Sequence, residues 1–192
     1  MAEKQKIVLA SGNEHKIREI AQMLPDFEVI GYKQLGFDQE IIENGNTFYE
    51  NALIKAKTVS EALNMPALAD DSGICVDALD GMPGIYSARY AGDGVDEHNN
   101  ALLLKNMQGV ENRSAKFVCC MVFYKPNGEI ISATGETHGL IMEHEEGLNG
   151  FGYDPLFYSL DLNKCLGVAS AHEKNKISHR FRAINQLKDK LL

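Results

Sequence analysis

Four segments of the chain gather the residue types that handle phosphates and divalent cations. The first is Ser11-Gly12-Asn13-Glu14-His15-Lys16, a polar turn behind a short apolar run. Where such a turn opens a helix, backbone N–H groups and the helix dipole attract anions, and a lysine adds a full charge. It is not a Walker A sequence, and an ordinary strand-to-helix turn has the same appearance. The second is Asp70-Asp71-Ser72-Gly73. Adjacent carboxylates at a strand end can ligate Mg²⁺ or orient a water; an Asp-rich turn capping the next element is the plainer alternative. Glu43 and Glu50 are further acids that the fold can bring near, although Glu50 also suits a helix cap.

The third segment is Gly150-Phe151-Gly152-Tyr153-Asp154-Pro155. An aromatic between glycines can stack on a flat base while the backbone approaches closely; a tight turn with packed aromatics reads the same way. The fourth runs from Lys174 through Ile177, Ser178 and His179 to Arg180, placed at the start of the last helix. Cations there oppose the helix dipole unless an anion lies among them. That conflict points to a ligand, against the alternative of a solvated basic face.

The elements that must carry these segments follow from periodicity. Ile7-Val8-Leu9-Ala10 is a buried strand, and Ile17, Ile20, Ala21 and Leu24 mark one face of the helix behind it, which Pro25 and Asp26 end. Residues 26–46 form a short strand and a polar loop. Thr47 caps a long helix with Glu50 at the capping-box position, and Ala52, Ala56, Val59 and Leu63 continue its face. Ala67-Leu68-Ala69 enters a strand expected to stop at Asp70. Residues 81–94 are a glycine-rich loop, and a helix spans Asp96 to Met107. Two long strands, Ala115–Tyr124 and Glu129–Met142, meet at Pro126-Asn127-Gly128, and the Asn-Gly pair favours the hairpin. A second glycine-rich loop covers 147–157, and a helix from Ser178 carries Phe181, Ile184, Leu187 and Leu191. Strands alternating with helices make this an α/β chain.

Composition narrows the function classes. The 192 residues suit one domain, or two closely joined lobes, at 44% hydrophobic and 24% charged. A net charge of -8 argues against a nucleic-acid binder, which must neutralise many phosphates, but not against one small phosphorylated ligand held with a cation. Cys75, Cys119, Cys120 and Cys165 form no C-x-x-C pair, and Cys119 and Cys120 must point to opposite faces of their strand. No signal peptide and no membrane-length apolar run stand out, so a reduced, cytoplasmic protein is expected.

Taken in order, these segments resemble the Ham1/RdgB family of inosine/xanthosine triphosphate pyrophosphatases, over about Ile7 to Ala183. The family's S/T-G-N-x-x-K-x-x-E stands here as Ser11 to Glu19, its T-F-x-E-N-A as Thr47 to Ala52, and its A-D-D-S-G-L as Ala69 to Ile74. The loop Pro83 to Gly92, the segment Gly150 to Pro155, and Ile177-Ser178-His179-Arg180 follow its pattern too. The related Maf-type pyrophosphatases fit these six motifs less well. A non-catalytic nucleotide-binding regulator is at odds with the retained Glu43, Asp70 and Asp71.

The resemblance implies an elongated α/β fold: a long mixed sheet in two lobes with flanking helices and an active-site cleft between them, the whole chain forming one Ham1-like domain. It implies a magnesium-dependent enzyme that splits ITP, dITP or XTP into monophosphate and pyrophosphate, and a homodimer. It implies that Ser11 to Lys16 grip the triphosphate, that Asp71 takes the proton of the attacking water and lies at the metal with Glu43, and that Ser72 touches substrate. Phe151, Gly152, Tyr153 and Asp154 would form the base pocket. Lys174, His179 and Arg180 would contact the nucleotide, the last two reading its 6-oxo edge. Val168 stands where the family often has an acid, Phe181 where a small residue is usual, and Ser11 where threonine is common.

Overall fold

The computed structural model describes residues 4–191. The opening apolar run is strand β1 (Gln5–Leu9), paired in parallel with β2 (Phe27–Gly31) on one side and with β3 (Ala67–Val76) on the other. The crossovers are α1 (Glu14–Met23) and α2 (Phe48–Leu63). Two long strands follow, β4 (Ser114–Tyr124) and β5 (Ile130–Ile141), then short β6 (Phe157–Ser159) and β7 (Lys164–Cys165). The seven strands lie in the order β2-β1-β3-β4-β5-β6-β7. Helix α3 (Asp96–Asn106) precedes β4, and α4 (Ala171–Ile177) and α5 (His179–Leu191) close the chain.

The chain forms two compact units. One comprises the described residues up to Asp71, Cys119–Thr134, and those from Arg180 onward; the other comprises Ser72–Val118 and Gly135–His179. Strands β3, β4 and β5 therefore contribute residues to both.

In the first unit the sheet is buried on both faces, which is why β1 reads as a continuous apolar run rather than an alternating one. Ile7, Leu9, Leu68, Cys119, Met121 and Phe123 pack with Ile20 and Leu24 of α1 and with Ala183, Ile184 and Leu187 of α5. Val8, Ala10, Ala67, Ala69 and Val122 take the other face with Ala52, Ala56 and Val59 of α2. Each fully buried Ile or Leu contributes roughly 1.5–3 kcal/mol. The cysteine pair divides as alternation demands, with Cys119 among the α1–α5 contacts, and all four thiols are free.

The hairpin between β4 and β5 closes where Asn-Gly indicates. Gly128 has φ +87°, its N–H donates to the Lys125 carbonyl at 2.9 Å, and Asn127 Oδ1 accepts from the Glu129 N–H. In the second unit β5 alternates strictly, with Gly135, Thr137, Gly139 and Ile141 inward. Its core joins Ile74, Val76, Leu103, Met107, Phe117, Leu156 and Phe157. Arg113 donates to the carbonyls of Met107, Ile141 and Met142, placing a cation at the carboxyl end of α3, where the helix dipole favours one. None of the helices among the described residues is long and apolar enough to cross a membrane.

Two expectations are corrected. Strand β3 does not stop at Asp70: it runs through Asp70-Asp71-Ser72-Gly73 to Val76, held by its place in the sheet interior and by the Ile74 N–H donating to Ser87 Oγ at 2.9 Å. Lys174 does not stand at the start of the last helix. It belongs to α4, whose own capping box joins Ser170 and Glu173, and Ser178 separates α4 from α5.

Gly139 shows how closely β5 and β6 approach. A Cβ there would lie 2.3 Å from the Tyr158 carbonyl oxygen and 2.4 Å from the Phe157 ring. Gly139→Ala is expected to destabilise the protein by roughly 1–3 kcal/mol, the usual cost of overpacking; an unchanged urea midpoint would contradict this packing.

Candidate active site

Alternation along β3 sends Asp70 and Asp71 to opposite faces of the sheet, so the two carboxylates do not act as a pair. Asp70 shares its side with Leu68 and is 1% exposed. Lys16 Nζ stands 3.1 Å from Asp70 Oδ2, and Arg180 Nη2 donates to the same oxygen at 3.2 Å. Arg180 Nη1 donates to Glu19 Oε2 at 2.5 Å. Burial works to raise the Asp70 pKa, but Lys16, Arg180 and Lys55 together outweigh it and hold the carboxyl well below the usual range. Arg180 itself is held charged, above its ordinary value, by Asp70 and Glu19 against its burial.

The conflict of cations at the start of the last helix is therefore answered by the protein's own acids. Two guanidinium nitrogens of Arg180, the residue expected at a base edge, bind Asp70 and Glu19.

Asp71 shares its side with Ala67 and Ala69, facing α2. Asn51 Nδ2 donates to Asp71 Oδ2 at 3.1 Å, and Lys55 Nζ lies 3.9 Å from Asp71 Oδ1 and 2.7 Å from Glu43 Oε2. Burial, the largest effect, raises the Asp71 pKa; Lys55 and Asn51 pull it down, Glu43 pushes it up, and the net shift is upward. A carboxylate made more basic, with one oxygen oriented by an amide, is suited to accept a proton. Asn51 also accepts from the Gly45 N–H at 2.9 Å, which ties the Glu43 loop to α2. Glu50 serves the helix start instead: its Oε2 accepts from the Asn46 N–H, while Thr47 Oγ1 accepts from the Glu50 N–H.

Glu43 and Asp71 are brought together around one ammonium, a place where positive charge is already balanced. Two hard-oxygen carboxylates fit magnesium, which is commonly held by one or two carboxylates with water and phosphate completing the shell. Among the described residues there is no cluster of three His, Cys, Asp or Glu that would make a cage for a metal without substrate.

The Ser11 to Lys16 turn does open a helix. Asn13 is the N-cap of α1, its Oδ1 accepting from the N–H groups of His15 and Lys16, and Ser11 Oγ accepts from the Asn13 N–H. Glu14 and His15 are exposed in the first turn. Gly12 runs close to the loop after β2: a Cβ there would lie 3.3 Å from the Tyr32 hydroxyl and 3.5 Å from Lys33 Nζ. Lys33 is thus a second cation beside this turn.

In the second unit, Asp154 Oδ2 accepts from the Phe151 N–H at 2.9 Å and binds Lys174 Nζ at 2.6 Å, both side chains being buried. Lys174 Nζ also sits 4.5 Å from the centre of the Phe151 ring. Gly150 is required twice over: its φ is +78°, and a Cβ would fall 2.0 Å from Asp154 Oδ2. The Gly152 N–H donates to Asp96 Oδ2 at 2.8 Å, and its carbonyl accepts from Asn100 Nδ2 at 3.1 Å. The Tyr153 hydroxyl donates to the Ser87 carbonyl at 2.7 Å, and burial raises its pKa. His179 is 7% exposed and stacks on Phe117, ring centres 5.0 Å apart and planes at 14°. Ser72 is half-buried on β3, Val168 is exposed and Phe181 half-buried.

Phe151 to Asp154 and Lys174 thus form one group, and Asp71 with Glu43 another. Asn51, Lys55, Lys33, Asp96 and Asn100 are functional candidates beyond those read from the sequence. A signal existed for two: Asn51 and Lys55, four apart, interrupt the buried Ala52–Ala56–Val59 side of α2 with polar residues.

The chain matches a family model described as the Ham1 family over residues 7–190. It is 49% identical over 195 residues to the dITP/XTP pyrophosphatase of Haemophilus influenzae, covering 98% of this chain and 100% of that protein. It is 43% identical over 198 residues to the dITP/XTP pyrophosphatase of Clostridium perfringens, covering 97% of each. The solved Ham1 protein of Staphylococcus aureus superposes with a TM-score of 0.90 at 44% identity, covering 97% of this chain and 98% of that one.

Removing one partner from a buried ion cluster strands the others, so Asp70→Asn is expected to lose roughly 3–5 kcal/mol at pH 7. Because the folded pKa of Asp70 is depressed, its stabilisation is complete above the unfolded value, about 3.9, and is lost as the pH falls towards the lower folded one. Urea unfolding of both proteins at pH 7 and pH 3 should show the gap narrowing in acid; a gap that is absent, or widens, contradicts the assignment.

Proposed function

The chain belongs to the Ham1 family, and on that premise we propose that it hydrolyses non-standard purine nucleoside triphosphates, dITP, XTP and ITP, to monophosphate and pyrophosphate. The observation that carries this reading is 43% and 49% identity, over nearly the full length, to proteins named dITP/XTP pyrophosphatases. The basic, amide-oriented carboxylate of Asp71 supplies the chemical group such a reaction needs.

In this reading Asp71 takes a proton from a water whose oxygen bonds to the α-phosphorus. The bond from that phosphorus to the bridging oxygen breaks, and its electron pair leaves with pyrophosphate. Asn51 keeps the Asp71 carboxylate oriented, and Lys55 balances its charge against Glu43. A magnesium ion held by Glu43 and Asp71 together with the substrate phosphates would lower the charge that repels the nucleophile. Lys16 and the first turn of α1, with Lys33 beside them, face the remaining phosphate charge. Positioning and electrostatics carry most of the rate.

Base choice falls to the second group. Phe151 offers a stacking face, and His179 a ring nitrogen able to donate to a 6-oxo oxygen. Against an adenine amino group that donor is left unpaired, at roughly 1–3 kcal/mol per group. Arg180 acts at a remove, by holding Asp70 and α1 in place. A homodimer and a cytoplasmic location complete the proposal, on the strength of the family resemblance.

Pyrophosphate release from ITP, XTP and dITP should require Mg²⁺, stop with EDTA, and exceed release from ATP and GTP. Asp71→Asn should retain nucleotide binding and lose roughly 10²–10⁴-fold in turnover, the usual worth of a general base. Binding without metal-dependent release by the wild-type protein would leave a nucleotide-binding regulator in its place.

A further inference from the structure

The Phe151 loop is gripped at one peptide-bearing residue by one helix. Gly152 has φ +61°, a left-handed conformation that other residues resist, so its neighbours' direction depends on that residue staying where it is. Both of its backbone polar groups are engaged by α3: Asp96 accepts from its N–H and Asn100 donates to its carbonyl. Asp96 and Asn100 are four residues apart, hence neighbours on one face of the helix.

Each side chain gives up a more ordinary role. Asp96 stands in the first turn of α3, where an acid commonly serves its own helix, and the N-cap Val95 provides no side-chain hydrogen bond. Asn100 is 4% exposed, and among the described residues its Oδ1 meets no hydrogen-bond partner. A buried acceptor left unmade is costly, so the amide serves Gly152 without gaining a second bond. The adjacent Asn99 does the parallel task for the preceding loop, accepting from the Ala91 N–H at 2.7 Å and donating to the Ala88 carbonyl at 3.3 Å. The start of α3 is thus a hub that fixes two loops through their backbones.

We propose that Asp96 and Asn100 are positioning residues for base selection, holding Gly152 so that Phe151 presents its ring in the orientation that recognises a 6-oxopurine. This rests on the reading of Phe151 as the base-stacking residue. Neither side chain touches the reacting atoms. Loss of either anchor frees the Gly152 peptide to rotate and blurs discrimination between bases, while the handling of phosphate is unaffected.

The test is kcat and KM for XTP, dITP and ATP, with inhibition by inorganic tripolyphosphate as a probe that lacks a base. Asp96→Ala and Asn100→Ala should each lower the XTP-to-ATP ratio of kcat/KM by about three- to tenfold, the scale of one lost hydrogen bond. The change should lie mainly in KM, with tripolyphosphate inhibition unchanged. Asp96→Asn, whose Oδ1 can accept the same N–H, should restore the ratio. If Asn100→Ala does not fold, Asp96→Ala at its exposed position carries the test. An equal fall for every substrate, or weaker tripolyphosphate inhibition to the same degree, would show a merely structural role and overturn the proposal. No wild-type turnover of XTP or dITP would instead overturn the proposed function, and this proposal with it.

Discussion

A carboxylate shut away from water has to be answered by cations, and the arrangement of the first unit follows from answering Asp70. Lys16 reaches it from α1 and Arg180 from α5, so one buried oxygen fixes two helices against the middle of β3. Glu19, one turn beyond Lys16 on α1, takes the other end of the Arg180 guanidinium. Asp70 and Arg180 are each 1% exposed, so their charges are costly alone and tolerable only together. Lys16 is thereby aimed by its partner as well as by its helix, and Asn13 caps the same first turn.

The neighbouring carboxylate has a different environment because it faces the other way. Asp71 meets an amide and a shared ammonium rather than two committed cations, and its pKa moves upward while that of Asp70 moves downward. A single dipeptide therefore holds one acid kept ionised by buried cations and one left more basic, as the role proposed for Asp71 requires. This separation follows from the two-residue repeat of a strand acting on identical side chains.

Much of this was legible in the sequence where local pattern dominates. The strand-turn-helix opening, the Thr47 cap and the Asn-Gly hairpin are set by neighbours in the chain, and the structure places them accordingly. Asp-Asp-Ser-Gly reads as a turn by composition, yet tertiary pairing carries β3 through it. The break between α4 and α5 did have a local sign in Ser170 and Glu173, a capping-box spacing, and Lys164 and Ser170 pull the Glu173 pKa down to about 2. Other contacts had no local sign at all. Arg180 lies 161 residues from Glu19 in the chain, and Asn100 lies 52 from Gly152, so only the folded structure joins them.

The alternation of β3 also makes its length a coded quantity. One residue added or removed between Leu68 and Asp70 would turn the whole following stretch over: a deletion would bring Asp71 into the place of Asp70 beside Lys16 and Arg180, and an insertion would bring Asp70 into the place of Asp71 beside Asn51 and Lys55. Since both are aspartates, either shift would leave a carboxylate at that place, yet Ile74 and Val76 would be turned from the core to the opposite face. A substitution along this strand changes one side chain, whereas an insertion or deletion changes the facing of all that follow.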